Sequence, residues 1–310
     1  MSESPGSPGR RLWLRGAAAF GSWVAGGAAL VAAAQPSSTP ADRRHGPARA
    51  PRLAVVLGAG SAHGFAHIGV IKALDAAGIR PDLIVGCSAG ALVGAFWAAG
   101  FSGSKMETLA DRVRDQDIVD AVAGGASRPG MVLGQALQNF VNDGTDNRPI
   151  NGLATPFLCV ATRYPTGELQ VFDRGDIGFA VRASCSIPGV FMPPSRQGQT
   201  YLDGGLVSPL PVQTARAAGA GLVVAVDVGA SNTDAADPAA GMYGLLMRSF
   251  EIMGDSLRRN EAALADIVIR PEVSRIASTD FSARHALVEA GFMAGARLAP
   301  VIQEKLRLRR

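Results

Sequence analysis

Two glycine-rich turns, each between a short apolar run and a helical pattern, constrain the fold of this chain most strongly. The first apolar run is Leu53–Leu57, and the turn Gly58–Gly64 follows it. The second run is Asp82–Val85, and Gly86–Gly90 follows at once. Apolar residues recur at nearly helical spacing after each turn, and Gly78 ends the first helix. The sequence therefore predicts two consecutive strand–turn–helix units.

The second turn has the G-x-S-x-G pattern of a nucleophile elbow, with Ser88 at its centre. Gly86 and Gly90 flank it, as a tight turn requires, and the serine is held at the carboxyl end of the strand. The helix that follows directs free N–H groups and a partial positive charge towards Ser88. These residues predict a nucleophilic serine, and the alternative is a tight β–α turn without chemistry.

The remainder of the chain alternates between strand and helix patterns. This alternation predicts a three-layer α/β/α sandwich with a mainly parallel central sheet. Further strands are expected at 157–162, 169–172, 199–202, 222–228 and 267–269. Further helices are expected at 102–120, 131–141, 177–184, 211–219, 242–264 and 283–306.

The first 51 residues differ in composition from the rest. Arg10-Arg11 precedes an uncharged run, Gly16–Ala34, that ends in three alanines, so residues 1–34 resemble a twin-arginine export signal. An uncleaved membrane anchor is the alternative. Residues 35–51, rich in Pro, Ser and Arg, are expected to form a disordered linker before a folded domain at 52–310. The expected location is periplasmic or secreted.

Charge and cysteine content exclude several classes of protein. The chain has 30 basic and 26 acidic residues, but six of the arginines lie in residues 1–50, and the rest of the chain has 24 of each sign. The folded part therefore gives no indication of nucleic-acid binding. Three cysteines provide neither a disulfide framework nor metal-ligand spacing. No metal or cofactor is expected.

Four segments of this sequence together carry a resemblance to a known family. LGAGSAHGFAHIGVIKAL, GCSAG, ASCSIPGVFMPP and YLDGG occur in this order. They resemble the patatin-like phospholipases, especially bacterial members related to the catalytic domain of neuropathy target esterase. The similarity covers roughly Leu53 to Ala290 and implies the patatin-like α/β fold.

The resemblance implies a Ser-Asp dyad that hydrolyses lipid esters. Ser88 would attack the ester carbonyl, and Asp203 would act as general base. Without the resemblance, Asp203-Gly204 is a common turn pair. The implied activity is that of a phospholipase A or lysophospholipase without a cofactor. Its substrate is expected to be a lipid or lysolipid at a membrane surface.

The first glycine turn is then expected to form the oxyanion hole, through the N–H groups of Ala59, Gly60 and Ser61. His63 stands where the family usually has arginine. This difference is expected to affect the rate of the reaction and its pH dependence more than the type of reaction. His67 lies four residues further on, but hydrogen bonding near the helix start is favoured over a metal pair. Ser186 and Pro188 are expected to support the site. The other supporting residues are Gly58, His63, Gly64, Gly86, Gly90, Gly204 and Gly205.

Three other interpretations stay open from the sequence. A conventional hydrolase triad would combine Ser88 with Asp203 or Asp227 and with His285, in the usual chain order. The glycines of the 58–64 turn could also form a dinucleotide loop, although the second strand does not end in the acidic residue which that function needs. The third alternative is a non-catalytic lipid-binding descendant of the hydrolase family.

Overall fold

A central sheet of eight strands organises the part of the protein that the structure describes. The computed structural model describes residues 52–118, 120, 132–229 and 241–308, so the predicted export signal and linker lie outside the described residues. The strands are β1 Leu53–Leu57, β2 Leu83–Cys87, β3 Phe157–Tyr164, β4 Leu169–Phe172, β5 Ser195–Arg196, β6 Gln199–Asp203, β7 Leu222–Val226 and β8 Ile267–Ile269.

Nine α-helices are found in the described part of the chain. They are α1 Phe65–Ala76, α2 Ala89–Ala98, α3 Gly103–Arg112, α4 Asp115–Ile118, α5 Gln135–Gly144, α6 Ile177–Ser184, α7 Val212–Ala217, α8 Gly241–Ala262 and α9 Arg284–Leu308. Among the described residues, no helix is long and apolar enough to cross a membrane.

The sheet is parallel in its centre and antiparallel at one side. Its order is β5-β6-β3-β2-β1-β7-β8, and β4 pairs with β3. The pairings β3–β2, β2–β1, β1–β7 and β7–β8 are parallel, whereas β4, β5 and β6 pair in antiparallel fashion. The prediction of an α/β fold with a mainly parallel central sheet is confirmed.

Helices cover both faces of the sheet because β1 is apolar on both sides. Leu53, Val55 and Leu57 belong to a core shared with α1, α2 and α9. Ala54 and Val56 face the opposite side, where they belong to a second core with α7 and the end of α8. A strand buried on both faces has a continuous apolar sequence rather than an alternating one, and β1 shows this pattern.

The structure corrects some predicted boundaries. The predicted helix at 102–120 is divided: Ser102 caps α3 by accepting a hydrogen bond from the Lys105 N–H, and Val113 has extended backbone before α4. The predicted helix at 131–141 instead begins at Gln135, after Gly134 in left-handed conformation. The two-residue strand β5 was missed because so short a segment carries no periodic pattern.

Close contact between α1 and α9 depends on glycines. A Cβ atom at Gly69 would overlap the carbonyl oxygen of Val288, and one at Gly291 would overlap that of Ala66. The two helix backbones therefore approach more closely than any side chain would permit, which fixes α1 behind the first glycine turn.

Replacing Gly69 with alanine should lower the free energy of unfolding by about 1–3 kcal/mol or more, because backbone atoms of α9 cannot yield to the new methyl group. Gly254→Ala is a matched control: a Cβ at Gly254 of α8 meets nothing within 4 Å. The free energy of unfolding of this control should rise by up to about 1 kcal/mol, because alanine favours a helix more than glycine does. Urea unfolding of both variants measures the difference, and equal stabilities would contradict the packing described.

Candidate active site

Two strand ends meet at one position of the sheet. β2 runs parallel to β3 and ends with Cys87 opposite Val160. β6 runs antiparallel to β3 and ends with Asp203 opposite Ala161, the next residue of β3. β4 pairs with residues 159–162 of β3 along its opposite edge. β2 and β6 therefore lie on the same edge of β3 and point at each other. Ser88, which follows β2, and Asp203, the last residue of β6, are therefore forced together.

Ser88 follows β2 in a strained turn. Its backbone has φ 52° and ψ −124°, a left-handed region that costs a non-glycine residue on the order of 1–3 kcal/mol. The Ser88 N–H donates to Oγ of Ser184 at the end of α6, 2.8 Å away. This anchoring residue is 96 positions distant in the sequence, so no local pattern could predict it.

The hydroxyl of Ser88 donates a hydrogen bond to Asp203, with Oγ 2.8 Å from Oδ2. The second carboxylate oxygen of Asp203, Oδ1, accepts from the Gly205 N–H at 2.7 Å. The Asp203 backbone is fixed on both sides, because its N–H donates to the Ser186 carbonyl and its carbonyl accepts from Oγ1 of Thr162. The structure thus brings together the two residues predicted as the dyad, and both are buried.

Burial changes the acidity of this carboxyl group. Removal from water raises the pKa of Asp203 to about 6, against the partial opposition of its hydrogen bonds from Gly205 and Ser88. The group stays mainly ionised at neutral pH and is a stronger base than an ordinary aspartate. A carboxylate with these properties, in contact with a hydroxyl, can accept its proton.

The first glycine turn supplies N–H groups, but not all of those predicted. The Ala59 N–H donates to the Pro209 carbonyl at 2.8 Å, so the prediction for Ala59 was wrong and its N–H is already used. No described residue accepts a hydrogen bond from the N–H of Gly60, Ser61 or Ala89. Ala89 was missed, although the residue after an elbow serine commonly contributes such a donor.

Small residues bring this turn against the elbow. A Cβ at Gly64 would lie 2.5 Å from the Cβ of Ala89, and a Cβ at Gly90 would overlap the Leu57 carbonyl. Glycine at these positions lets the start of α2 approach the end of β1. Gly86 and Gly204 are equally crowded, by Ala91 and by the Val160 carbonyl respectively, so these predicted supporting glycines lie at contacts that exclude side chains.

His63 ties the glycine turn to two neighbouring segments. Its Nδ1 lies 3.2 Å from the Val228 carbonyl oxygen, and its Nε2 lies 2.8 Å from that of Ile276. A neutral imidazole has one N–H and can donate to only one of them at a time, whereas arginine would donate to both. His63 thus fills the bracing position expected of the family arginine with fewer hydrogen bonds.

His67 is fully buried, and its Nε2 lies 2.8 Å from the carbonyl oxygen of Gly58. Burial lowers the pKa of His67 to about 4, so the neutral ring donates to this carbonyl. In the described part of the chain, no group of three or more His, Cys, Asp or Glu is arranged to hold a metal ion.

The residues of the alternative triad lie elsewhere. The His285 imidazole is 76% exposed and is 3.7 Å from Asp111 of α3. Asp227 forms ion pairs with Arg258, at 2.6 Å, and with Arg270, at 3.1 Å. Because Ser88 donates to Asp203 rather than to a histidine, the geometry favours a dyad over the triad.

Three buried thiols lie near the Ser88–Asp203 pair. Burial raises the pKa of Cys87 and Cys185 well above the usual value, and that of Cys159 to about 12. All three are therefore protonated and unreactive at neutral pH.

Comparisons with known proteins agree with the resemblance found in the sequence. Residues 55–216 match the family model of the patatin-like phospholipases. An uncharacterized NTE family protein of Mycobacterium tuberculosis is 35% identical over 181 residues, which are 58% of this chain and 50% of the relative. Human patatin-like phospholipase domain-containing protein 6 is 32% identical over 192 residues, 58% of this chain and 14% of that protein. The chain thus spans half or less of the length of these two relatives.

A solved structure supports the same fold. VipD from Legionella pneumophila superposes with a TM-score of 0.52 at 15% sequence identity, over 81% of this chain and 67% of VipD. At this identity the similarity concerns the fold alone. Members of the matched family are lipid hydrolases. Since the family model covers more than half of the sequence and includes Ser88 and Asp203, the chain belongs to the patatin-like phospholipase family.

Proposed function

We propose that this protein is a serine esterase that hydrolyses carboxylic esters of lipids, of the phospholipase A or lysophospholipase type. The observation that carries the proposal is the 2.8 Å hydrogen bond from the Ser88 hydroxyl to the buried Asp203 carboxylate. Membership of a lipid hydrolase family supports the substrate class.

In the first half-reaction, Ser88 Oγ attacks the ester carbonyl carbon while Asp203 accepts the hydroxyl proton. The negative charge that develops on the carbonyl oxygen is stabilised by the N–H groups of Gly60, Ser61 and Ala89. Collapse of the tetrahedral intermediate breaks the ester C–O bond. The departing alcohol or lysolipid takes the proton from Asp203, and the acyl group remains on Ser88.

In the second half-reaction, Asp203 accepts a proton from water, and the resulting hydroxide attacks the acyl-enzyme carbonyl. The intermediate releases the fatty acid, and Ser88 Oγ recovers the proton from Asp203. The Ser88 N–H donates to the Ser184 hydroxyl, and the Asp203 N–H donates to the Ser186 carbonyl. These hydrogen bonds hold the nucleophile and the base in position during both half-reactions. Apart from the substrate and the hydrolytic water, every group named in this proposed mechanism belongs to this chain.

Substitution of the two dyad residues tests this proposal. Ser88→Ala should lower kcat/KM on a short-chain p-nitrophenyl ester and on lysophosphatidylcholine by at least about a thousandfold. Asp203→Asn should cost roughly 10²–10⁴-fold, the usual contribution of a general base. His285→Ala is the control and should remain near wild type.

Two outcomes would contradict the proposal. Loss of activity in His285→Ala with survival of Asp203→Asn would favour the triad. A folded wild-type protein that hydrolyses neither ester would favour a lipid-binding descendant of the family.

The pKa of Asp203 predicts an acid limb in the pH profile. Because the unprotonated carboxylate is the base, kcat/KM should fall as pH decreases through about 6 and level off above it. The measurement is kcat/KM on a soluble ester between about pH 4 and pH 9. A midpoint near 3.8, the value of an unperturbed aspartate, would exclude a desolvated base.

We further propose that the protein reaches its lipid substrate at a membrane surface. The first four turns of α8 bind that surface. Large apolar side chains are 49–72% exposed there and recur at spacings of three, four and seven, which places them on one helix face. Within this stripe Ser249 donates to the Leu245 carbonyl at 2.8 Å, so its hydroxyl is satisfied. The stripe consists of Met242, Leu245, Leu246, Ile252 and Met253.

Replacing Leu245 and Ile252 with glutamine should weaken binding to phosphatidylcholine vesicles at least tenfold, because each buried aliphatic side chain contributes about 1.5–3 kcal/mol. Sedimentation with vesicles measures the change. Leu308→Gln, at an exposed leucine of α9, is the control. Unchanged vesicle binding of the double variant would contradict the assignment of this helix face.

A further inference from the structure

A buried carboxylate lies close to the first glycine turn, outside the set of residues that the proposed mechanism uses. Glu261 is in the last turn of α8, and only 7% of the residue is exposed. Its Oε1 accepts a hydrogen bond from the Ser208 hydroxyl at 2.6 Å, and its Oε2 accepts one from the Leu210 N–H at 2.9 Å. The carboxylate therefore holds the residues on both sides of Pro209.

Pro209 connects this carboxylate to the first glycine turn. Its carbonyl accepts a hydrogen bond from the Ala59 N–H at 2.8 Å. A Cβ at Gly58 would lie 3.3 Å from the Pro209 carbonyl oxygen and 3.0 Å from a methyl group of Leu210, so the two segments are in close contact. Ala59 directly precedes the N–H groups proposed as oxyanion donors. A shift of residues 208–210 would therefore move those donors as well.

The segment that this carboxylate holds begins at the proposed base. Asp203 immediately precedes residues 204–210, and the Gly205 N–H donates to its Oδ1 at 2.7 Å. The Ser208 N–H in turn donates to the Gly204 carbonyl at 2.9 Å. One short segment thus connects the base to the first glycine turn, and the carboxylate holds the end that is remote from the base.

The helix turn that carries this carboxylate is itself anchored. Arg258, which is also buried, donates to Asp227 Oδ1 at 2.6 Å and to the Gly229 carbonyl at 2.7 Å. The Val228 carbonyl oxygen between them lies 3.2 Å from Nδ1 of His63. Two segments that contact the first glycine turn are therefore held by side chains three residues apart on α8.

Among the described residues, no Lys, Arg or His forms an ion pair with the Glu261 carboxylate. Burial raises the pKa of Glu261, and the hydrogen bonds from Ser208 and Leu210 oppose this change only in part. A buried carboxylate without a cation costs free energy that a neutral side chain would avoid. Both of its oxygens are used by the 208–210 segment, which points to a role in holding that segment.

We propose that Glu261 is a positioning residue for the esterase reaction: it holds the 208–210 segment so that the N–H groups of the first glycine turn face the developing oxyanion. This inference rests on the proposed esterase activity. Because Glu261 acts through this segment rather than on the ester itself, its loss should reduce transition-state stabilisation more than substrate binding. Displacement of a catalytic group by about 1 Å can lower the rate by about a hundredfold.

Glu261→Ala should lower kcat on a soluble p-nitrophenyl ester about 10- to 100-fold and leave KM nearly unchanged, because the Leu210 N–H and the Ser208 hydroxyl lose their acceptor. Glu261→Gln should restore most of kcat. The glutamine oxygen can accept from the Leu210 N–H while its amide donates to the Ser208 oxygen. Ser208→Ala removes only one of the two hydrogen bonds, so it should lower kcat severalfold, and it tests the same contact if Glu261→Ala does not fold.

Thr145→Ala is the control for a purely structural loss. Thr145 is buried just after α5, and its hydroxyl donates to the Val141 carbonyl at 2.8 Å, so this variant also loses a buried hydrogen bond. Its thermal midpoint should fall while its kcat stays near wild type. Wild-type kcat in Glu261→Ala, or a Glu261→Gln protein as impaired as Glu261→Ala, would overturn the proposal.

Amide hydrogen exchange separates failure of this inference from failure of the proposed esterase. Peptides that cover residues 58–64 and 204–210 should exchange about tenfold faster or more in Glu261→Ala than in Glu261→Gln or wild type. Unchanged exchange in both peptides would refute the positioning role even if esters are hydrolysed. Faster exchange, together with a wild-type protein that hydrolyses no ester, would support the contact and contradict the proposed reaction.

Discussion

The structure depends on the meeting of two strand ends beside β3. β2 and β6 approach from opposite directions and end opposite consecutive residues of β3, Val160 and Ala161. The elbow serine and the aspartate are thereby placed within hydrogen-bonding distance by the backbone pairing of the sheet, before any side-chain contact is considered. The strain at Ser88 is tolerated because Ser184 fixes its N–H and α2 begins immediately afterwards.

Burial gives this pair its chemical character. The same desolvation that raises the pKa of Asp203 keeps the surrounding thiols protonated and His67 neutral. Asp203 differs from these groups because hydrogen bonds from Gly205 and Ser88 partly stabilise its charge. It can therefore remain an anion at neutral pH while gaining basicity, which a general base in contact with a hydroxyl requires.

Much of the fold and both residues of the hydrogen-bonded Ser88–Asp203 pair could be identified from the sequence, because their signals are local. β1, β8 and α6 follow from short apolar runs and turn residues, and the elbow glycines mark Ser88. The contacts that complete the site are not local. The Pro209 carbonyl that occupies the Ala59 N–H, and the Ser184 hydroxyl beneath Ser88, come from distant segments that only the folded sheet brings together. The oxyanion loop therefore stays a prediction for the N–H groups of Gly60 and Ser61, whereas the N–H of Ala59 is already used by the Pro209 carbonyl.

The central proposal is that the Ser88 hydroxyl is the nucleophile and that Asp203 activates it. Its most direct test is reaction with an alkyl fluorophosphonate followed by intact-mass and peptide analysis. One adduct on the peptide containing Ser88 is predicted, formed much more slowly in Asp203→Asn because the base is lost. An adduct on another serine, or equal labelling of Ser88 in the Asp203→Asn protein, would contradict the account.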